Sequence, residues 1–152
     1  MKLSTKGRYA LVALVDVAFY QKDGLVPISE LGQRQGISEA YLEQLFGRLR
    51  RYGLLKSVRG PSGGYHLARA PKDIRIFEIL EAVGETVDSL EKGAGAKGGV
   101  SGSREQSLSD RLWEGLSAHV YVFLHRATLE DVVSNALMPC PAIPALLEPE
   151  TV

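Results

Sequence analysis

The sequence predicts a mainly α-helical fold with one small β-hairpin, an α+β class. Three observations predict it: apolar residues recur at helical spacing along most of the chain, a Gly/Pro turn separates two strand-like runs, and 45% of the 152 residues are hydrophobic, enough to bury a core. No run of about 18 apolar residues occurs, so no membrane span is expected. The single cysteine, Cys140, excludes an internal disulfide and agrees with a cytoplasmic location.

The first two helices are predicted from capping residues and from glycines. Helix 1 is expected to begin after Ser4 or Thr5, either of which can act as N-cap, and to run to about Gln21. A second helix is expected over about 29–35 and ends at Gly36. The apolar face of helix 1 follows the i, i+3, i+4, i+7 spacing and comprises Leu11, Leu14, Val15 and Ala18.

A third helix follows at once, in the stretch "GISEAYLEQLFGRLRRYG". Ser38 is the predicted N-cap, and Gly53 ends the helix. Two short helices joined by "QGIS" have the length and turn of a helix-turn-helix. The predicted buried face of the third helix is Leu42, Leu45, Phe46 and Leu49.

The stretch "LLKSVRGPSGGYHLAR" predicts a β-hairpin with strands near 54–58 and 64–68. A hairpin directly after a helix-turn-helix is a wing, so a winged helix-turn-helix domain is expected over 1–85. A fourth helix over about 76–83 completes it by packing under the wing, with Ile76, Ile79, Leu80 and Val83 as its apolar stripe. The hairpin turn consists of Gly60, Pro61, Ser62 and Gly63.

The rest of the chain divides into a glycine-rich loop over 86–107, a long helix with a short one over 108–137, and a proline-rich tail over 138–152. Thr128 is the predicted N-cap of the short helix, with Asp131 in the capping-box position. The long helix has no place in an already complete small domain, so it is expected to pair with its twin across a two-fold axis. Its predicted dimerisation residues are Leu112, Trp113, Leu116, Val120 and Phe123.

The net charge of zero conceals two halves of opposite sign. Residues 1–70 hold eleven Lys/Arg and five Asp/Glu, a net charge of +6, whereas residues 71–152 hold seven and thirteen, a net charge of −6. A basic first half predicts contact with a polyanion, although chance segregation on a solvated surface would give the same count. Together with the wing, this charge favours binding to double-stranded DNA.

Burial of the apolar face leaves polar positions near the start of the third helix toward solvent, which is the end that a recognition helix presents to base edges. An ordinary amphipathic helix would show the same polar face. Arg59 at the tip of the hairpin is placed to enter a narrow minor groove, and Lys56 and Arg69 are expected near phosphates. The solvent-facing positions of the helix are Glu39, Ala40, Tyr41, Glu43, Gln44 and Arg48.

Three stretches, "LSTKGRYA", "YLEQLF" and "VRGPSGGY", closely resemble the IscR-type (Rrf-type) winged-helix transcription regulators, and the resemblance extends from Met1 to about Asn135. The resemblance implies a homodimer that binds pseudo-palindromic operators, with the third helix in the major groove and the wing in the minor groove. Repression is the expected mode of regulation. Matching positions imply base contacts by Tyr41, Glu43, Gln44 and Arg59, with Ser38 and Ala40 at neighbouring contact positions.

Each candidate has a chemical role and an alternative. Gln44 can make paired hydrogen bonds to adenine, and Glu43 can accept from cytosine N4. Tyr41 offers a hydroxyl to phosphate and a ring to sugar or a thymine methyl group. The alternative for Tyr41 is a partly buried aromatic ring, and Glu43 could equally pair with a cation on its own helix.

In the cluster-binding branch of the family, the loop carries three cysteines and then a histidine, which together hold a 2Fe-2S cluster. Here the corresponding positions lie near Lys92, Val100, Ser107 and Asp110, so no metal site is expected and the loop is interpreted as a linker. Asp110 has a plain alternative as a first-turn acid of the long helix.

The sequence supports three hypotheses about function. The first is a cluster-free, dimeric DNA-binding repressor. The second is an iron–sulfur sensor of cluster-assembly genes whose ligands are substituted, and the third is an interaction protein controlled by a protein or small-molecule co-regulator. The sequence contains no Ser/His/Asp set, nucleotide-binding glycine loop or carboxylate pair with the residue spacing of a known catalytic motif, so an enzyme is not expected.

Overall fold

The computed structural model describes residues 4–85 and 103–137, in which eight helices and strands follow one another. Short 3-10 turns at Gln21–Asp23 and Pro71–Asp73 separate some of them. In chain order the elements are α1 (Thr5–Tyr20), α2 (Ile28–Gln35), α3 (Glu39–Arg51), β1 (Leu55–Val58), β2 (Gly64–Leu67), α4 (Ile76–Ala82), α5 (Arg104–Arg126) and α6 (Leu129–Val133).

Helix α1 lies at the centre of the fold, and its predicted buried face was wrong by about one residue. Only Leu14 of the four predicted positions is fully buried, whereas Leu11, Val15 and Ala18 lie at the edge of the core. Because α2, α3, β2, α4 and α6 all pack against α1, small side chains are needed at the closest approaches. The observed buried apolar face is therefore Ala10, Ala13, Leu14 and Val17.

An ion pair between a buried carboxylate and a partly exposed guanidinium joins α1 to α2. The carboxylate of Asp16, whose side chain is fully buried, accepts hydrogen bonds from Arg34 Nε at 3.0 Å and Nη2 at 2.7 Å. Gln35 Nε2 donates a further hydrogen bond to the same carboxylate at 2.7 Å. The guanidinium also lies 3.9 Å from the centroid of the Tyr20 ring, so a cation–π contact completes its surroundings.

The helix-turn-helix agrees with the sequence prediction. Gly36 ends α2 in the left-handed conformation with φ of +66°, and the Ser38 hydroxyl accepts a hydrogen bond from the Tyr41 amide at the start of α3. A Cβ atom on Gly32 would lie 2.8 Å from the Ile37 carbonyl oxygen, so the turn requires glycine there. The predicted buried face of α3 is confirmed at Leu42, Leu45, Phe46 and Leu49.

The predicted wing is also confirmed. Strands β1 and β2 pair antiparallel, from Leu55 opposite Leu67 to Val58 opposite Gly64. Val26, in the segment before α2, adds two backbone hydrogen bonds of 2.9 Å with Tyr65, so the base of the wing is held by a third extended segment.

The chain after α5 returns to close the core. The Ile76 amide donates to the Ala127 carbonyl at 3.0 Å, and the Leu129 amide donates to the Ile74 carbonyl at 2.9 Å. Ala127 and Leu129 are both buried in the same core as α1. A winged domain that ends at residue 85 would therefore lack part of its core.

The last three helices, α4, α5 and α6, agree with the sequence prediction in part. The apolar stripe of α4 is confirmed, but α4 packs mainly against α1 and α5 rather than under the wing. Helix α5 begins at Arg104 with Ser103 as its cap, so the end of the expected 86–107 loop is helical and Asp110 is not in the first turn. The Thr128–Asp131 capping box is confirmed.

Residues 86–102 and the tail 138–152, including Cys140, lie outside the described residues. Among the helices of the described ranges, none has the length and apolar character that crossing a membrane requires.

Arg34→Met tests the ion pair, because it keeps an apolar stem but leaves the Asp16 carboxylate without its counter-ion. We expect the free energy of unfolding to fall by about 3 kcal/mol, measured by urea denaturation. Glu30→Gln is the matched control, since it removes only the exposed partner that lies 3.6 Å from Arg34. It should cost less than about 0.5 kcal/mol. Equal losses in the two variants would contradict a structural role for the ion pair.

Candidate nucleic-acid interface

The outer face of α3 presents three candidate base-contacting residues to solvent. Ala40, Glu43 and Gln44 are exposed, on the side of the helix away from the core stripe. Among the described residues, Glu43 forms no ion pair, so the alternative of a cation partner on its own helix is not observed. The first turns of α3 therefore offer an amide and a carboxylate to a ligand.

Tyr41 has the partly buried ring that was its alternative interpretation. Its ring packs edge-on against that of Tyr9, with centroids 5.8 Å apart, and it contacts the edge of the core. This contact places the N-terminal part of α1, with Lys6 and the exposed Arg8, beside the recognition helix. Sequence reasoning missed these α1 residues, although the cations of "LSTKGRYA" were the available signal.

The wing is fastened to the recognition helix by a side-chain hydrogen bond. Arg50 Nη1, near the end of α3, donates to Ser57 Oγ of β1 at 3.0 Å. Lys56 and Arg59 on the hairpin are exposed, and within the described ranges neither forms an ion pair. Both cations are thus available to an anionic ligand.

Two expected cations are engaged within the protein. Arg69 pairs with Glu78 at 2.9 Å and also donates to the Asp73 carbonyl at 3.1 Å, and its contact with a phosphate stays a prediction. Arg48 Nη1 donates to the Val83 carbonyl at 3.0 Å, which ties α3 to the end of α4. DNA contact by Arg48 stays a prediction.

Burial by itself raises the pKa of Glu78. Hydrogen bonds from the Arg75 amide and from Arg69 outweigh burial, so the pKa of Glu78 lies below its ordinary value. The carboxylate is therefore charged near neutral pH and neutralises Arg69.

Glu85 joins the end of the α4 region to the start of α1. Its carboxylate accepts hydrogen bonds from the Gly7 amide at 3.1 Å, the Ser4 amide at 3.4 Å and the Ser4 hydroxyl. Burial raises the pKa of Glu85, but these hydrogen bonds outweigh it and hold the pKa below its ordinary value. The residue immediately before the glycine-rich segment is thus anchored beside the interface.

The predicted dimerisation helix exposes apolar side chains. Leu112 is 66% exposed and Phe123 is 52% exposed, while Trp113 and Leu116 are each 46% exposed. Val120 is half-buried. Of the positions that correspond to cluster ligands, Ser107 and Asp110 lie on α5, and Lys92 and Val100 lie outside the described residues.

A helix-turn-helix followed by an anchored hairpin, with exposed polar groups on its third helix, defines the class of winged helix-turn-helix DNA-binding regulators. The family described as Rrf2, iron-dependent transcriptional regulator, matches residues 3–135. The chain belongs to this family and is a DNA-binding transcription regulator.

Individual relatives agree with this assignment. The chain is 65% identical over 148 residues to the HTH-type transcriptional regulator IscR of Cereibacter sphaeroides, covering 96% of each protein. It is 44% identical to IscR of Pectobacterium carotovorum over 89% of this chain and 80% of that protein.

Solved structures show the same fold. T. potens IscR matches with a TM-score of 0.69 and 36% identity, over 93% of this chain and 95% of that one. CymR, the global cysteine regulator of B. subtilis, matches with a TM-score of 0.73 and 32% identity, over 89% and 98%.

Glu85→Ala tests the anchor at the start of α1. Because the pKa of Glu85 is lowered on folding, its stabilisation is present above the ordinary value of 4.5 and is lost as pH falls through the folded-state pKa. We expect the variant to lose about 1.5 kcal/mol of unfolding free energy at pH 7, and the deficit to shrink below pH 4.5.

Thermal unfolding of the variant and of the wild type is measured across pH 3–7, a range that extends below and above the ordinary pKa of a glutamate. The matched control is Glu114→Ala, which removes a carboxylate at an exposed position on α5 and should leave the unfolding free energy nearly unchanged at pH 7. A deficit of Glu85→Ala that does not change with pH would argue against the carboxylate anchor.

Proposed function

We propose that the protein acts as a homodimeric repressor on pseudo-palindromic DNA operators. The observation that carries this proposal is the pairing of an exposed α3 face with a wing that Arg50 holds in place through Ser57 at 3.0 Å. Two such units related by a two-fold axis match the symmetry of a palindromic site.

Direct readout is assigned to α3 and minor-groove readout to the wing. Gln44 has the donor and acceptor that adenine presents in the major groove, and Glu43 accepts from cytosine N4. Arg59 inserts its guanidinium into the minor groove, where a narrow A·T-rich stretch concentrates negative potential. Lys56 and the α1 cation Arg8 are assigned to phosphates, which position the protein without reading sequence.

The homodimer is supported by the apolar surface of α5. A standard interface buries roughly 800 Å² on each partner, and large apolar side chains are exposed along the length of this helix. They are Leu108, Leu112, Trp113, Leu116, Tyr121, Val122 and Phe123.

Arg59→Ala and Gln44→Ala test the two modes of DNA readout. On a duplex selected from a random pool by the wild-type protein, Arg59→Ala should weaken binding by roughly tenfold or more. The slope of log affinity against log salt should become shallower by about one if a phosphate contact is also lost. Gln44→Ala should relax the preference at a single base pair of each half-site. Fluorescence anisotropy at several salt concentrations measures these effects.

The charge-matched control is Lys72→Ala, which removes an exposed cation from the turn before α4. Its affinity and salt slope should equal those of the wild type. Unchanged binding by both Arg59→Ala and Gln44→Ala would overturn this placement of the interface.

The residues at the cluster-ligand positions do not fit a 2Fe-2S cluster. Lysine and valine at positions 92 and 100, a serine at 107 and a carboxylate at 110 replace three thiolates and an imidazole. Among the described residues, no group of three or more His, Cys, Asp or Glu side chains is arranged to hold a metal ion. We therefore propose that the glycine-rich loop holds no cluster, and that a protein or small-molecule co-regulator controls the protein instead.

Ser107→Ala and Asp110→Ala test this departure from the family. After anaerobic reconstitution, iron content, sulfide content and the visible spectrum of both variants should equal those of the wild type, which we expect to be free of cluster. Loss of bound iron in either variant would show that the loop does ligate. Stoichiometric iron and sulfide in the wild type that Cys140→Ser removes would contradict the cluster-free proposal and make iron–sulfur sensing the function.

A further inference from the structure

Two residues on one face of α3 contact the wing. Phe46 and Arg50 lie one turn apart on this helix. Their partners, Tyr65 and Ser57, stand opposite each other in the hairpin, so the two side chains lie on the same face of the strands. Arg50 Nη1 donates to Ser57 Oγ at 3.0 Å, and the Tyr65 ring packs on Phe46. The wing therefore meets the recognition helix through a matched pair of contacts.

The aromatic contact is the more rigid of the two. The rings of Tyr65 and Phe46 meet edge to face, with centroids 4.7 Å apart and planes at 76°. Phe46 is fully buried in the core, so it offers a fixed surface. A tyrosine ring has only two side-chain torsions, whereas the Arg50 side chain is long and flexible. The ring of Tyr65 is therefore the contact that can fix an angle between the two elements.

Tyr65 is also held through its backbone. Its amide donates to the Val26 carbonyl, and its carbonyl accepts from the Val26 amide, both at 2.9 Å. Gly64 lets the two segments approach closely, since a Cβ atom there would lie 2.8 Å from the Val26 carbonyl carbon and oxygen. Ring and backbone together fix residue 65 against both α3 and the segment before α2.

A fixed base determines where the tip of the wing lies. Arg59 follows β1 directly and lies two residues beyond Ser57, about 7 Å along an extended strand. A tilt of the hairpin at Tyr65 would move the Arg59 guanidinium relative to any DNA held by α3. The orientation of Tyr65 thus affects the position of the cation at the tip.

We propose that Tyr65 is a positioning residue for minor-groove readout: its ring on Phe46 and its backbone on Val26 set the angle between the wing and the recognition helix. Arg59 then meets the minor groove while Gln44 lies in the major groove of the same half-site. Tyr65 itself is assigned no contact with DNA. This inference rests on the interface proposed above and adds a residue that acts through Arg59.

A double-mutant cycle of Tyr65→Leu with Arg59→Ala tests the positioning role, on the duplex selected by the wild type. In the wild type, Arg59→Ala should weaken binding roughly tenfold. In Tyr65→Leu the guanidinium is already misplaced, so the same substitution should weaken binding less than about twofold. Gln44→Ala should weaken binding by the same factor in both backgrounds. Tyr65→Leu should also lose the preference for A·T pairs under the wing and keep the preference that Gln44 reads.

Three further variants separate positioning from stability. Tyr65→Phe keeps the ring and both backbone hydrogen bonds, so it should bind DNA like the wild type. Ile79→Val removes one buried methylene group from α4, and it should lower the free energy of unfolding without changing the effect of Arg59→Ala. If circular dichroism shows that Tyr65→Leu does not fold, Tyr65→Met fills the same space without a ring and enters the same cycle.

Equal losses from Arg59→Ala in the wild-type and Tyr65→Leu backgrounds would overturn the positioning role of Tyr65. The same would follow if Ile79→Val also abolished the effect of Arg59→Ala. Failure of the proposed interface gives a different result, because Arg59→Ala would then leave binding by the wild type unchanged. That outcome refutes the placement of the wing and this inference with it.

Discussion

The ion pair between the buried carboxylate of Asp16 and Arg34 is the constraint on which the arrangement of the helices depends. A carboxylate inside the core is tolerated only when its charge and its hydrogen bonds are satisfied, and here Arg34 and Gln35 satisfy them at 2.7–3.0 Å. Arg34 and Gln35 both lie in the last turn of α2, just before Gly36. The pair therefore sets the position of α2 on α1. Because the turn between α2 and α3 is short, the position of α2 also fixes that of α3.

Helix α3 is then held from three sides. Tyr41 packs on Tyr9 of α1, Arg48 bonds to the Val83 carbonyl, and Arg50 bonds to Ser57 of the wing. Two of these contacts are made by arginines, which here bond within the protein. Such contacts hold the recognition helix in one position before DNA binds, and base readout needs side chains that are positioned in advance.

The return of the chain at 127–129 connects DNA binding with the long helix. Since Ala127 and Leu129 are buried in the core of the winged domain, the C-terminal end of α5 cannot move independently of that core. The stacking of His125 on Phe77, with centroids 3.9 Å apart, adds a contact between α5 and α4. Any dimer built on α5 would thus set the distance between its two recognition helices, and with it the spacing of half-sites.

The sequence by itself determined the elements whose signals are local: the caps Ser38 and Thr128, the apolar face of α3 and the hairpin. It also indicated the exposed candidates Glu43 and Gln44, because a helix with a known buried face has a known outer face. Arg59 was indicated by its place beside the predicted turn of the hairpin. Tertiary structure alone decided which face of α1 is buried, that Arg69 pairs with Glu78, and that residues after α5 complete the core. Those outcomes depend on contacts between residues far apart in the chain. Periodicity and capping rules describe only local sequence, so they cannot predict such contacts.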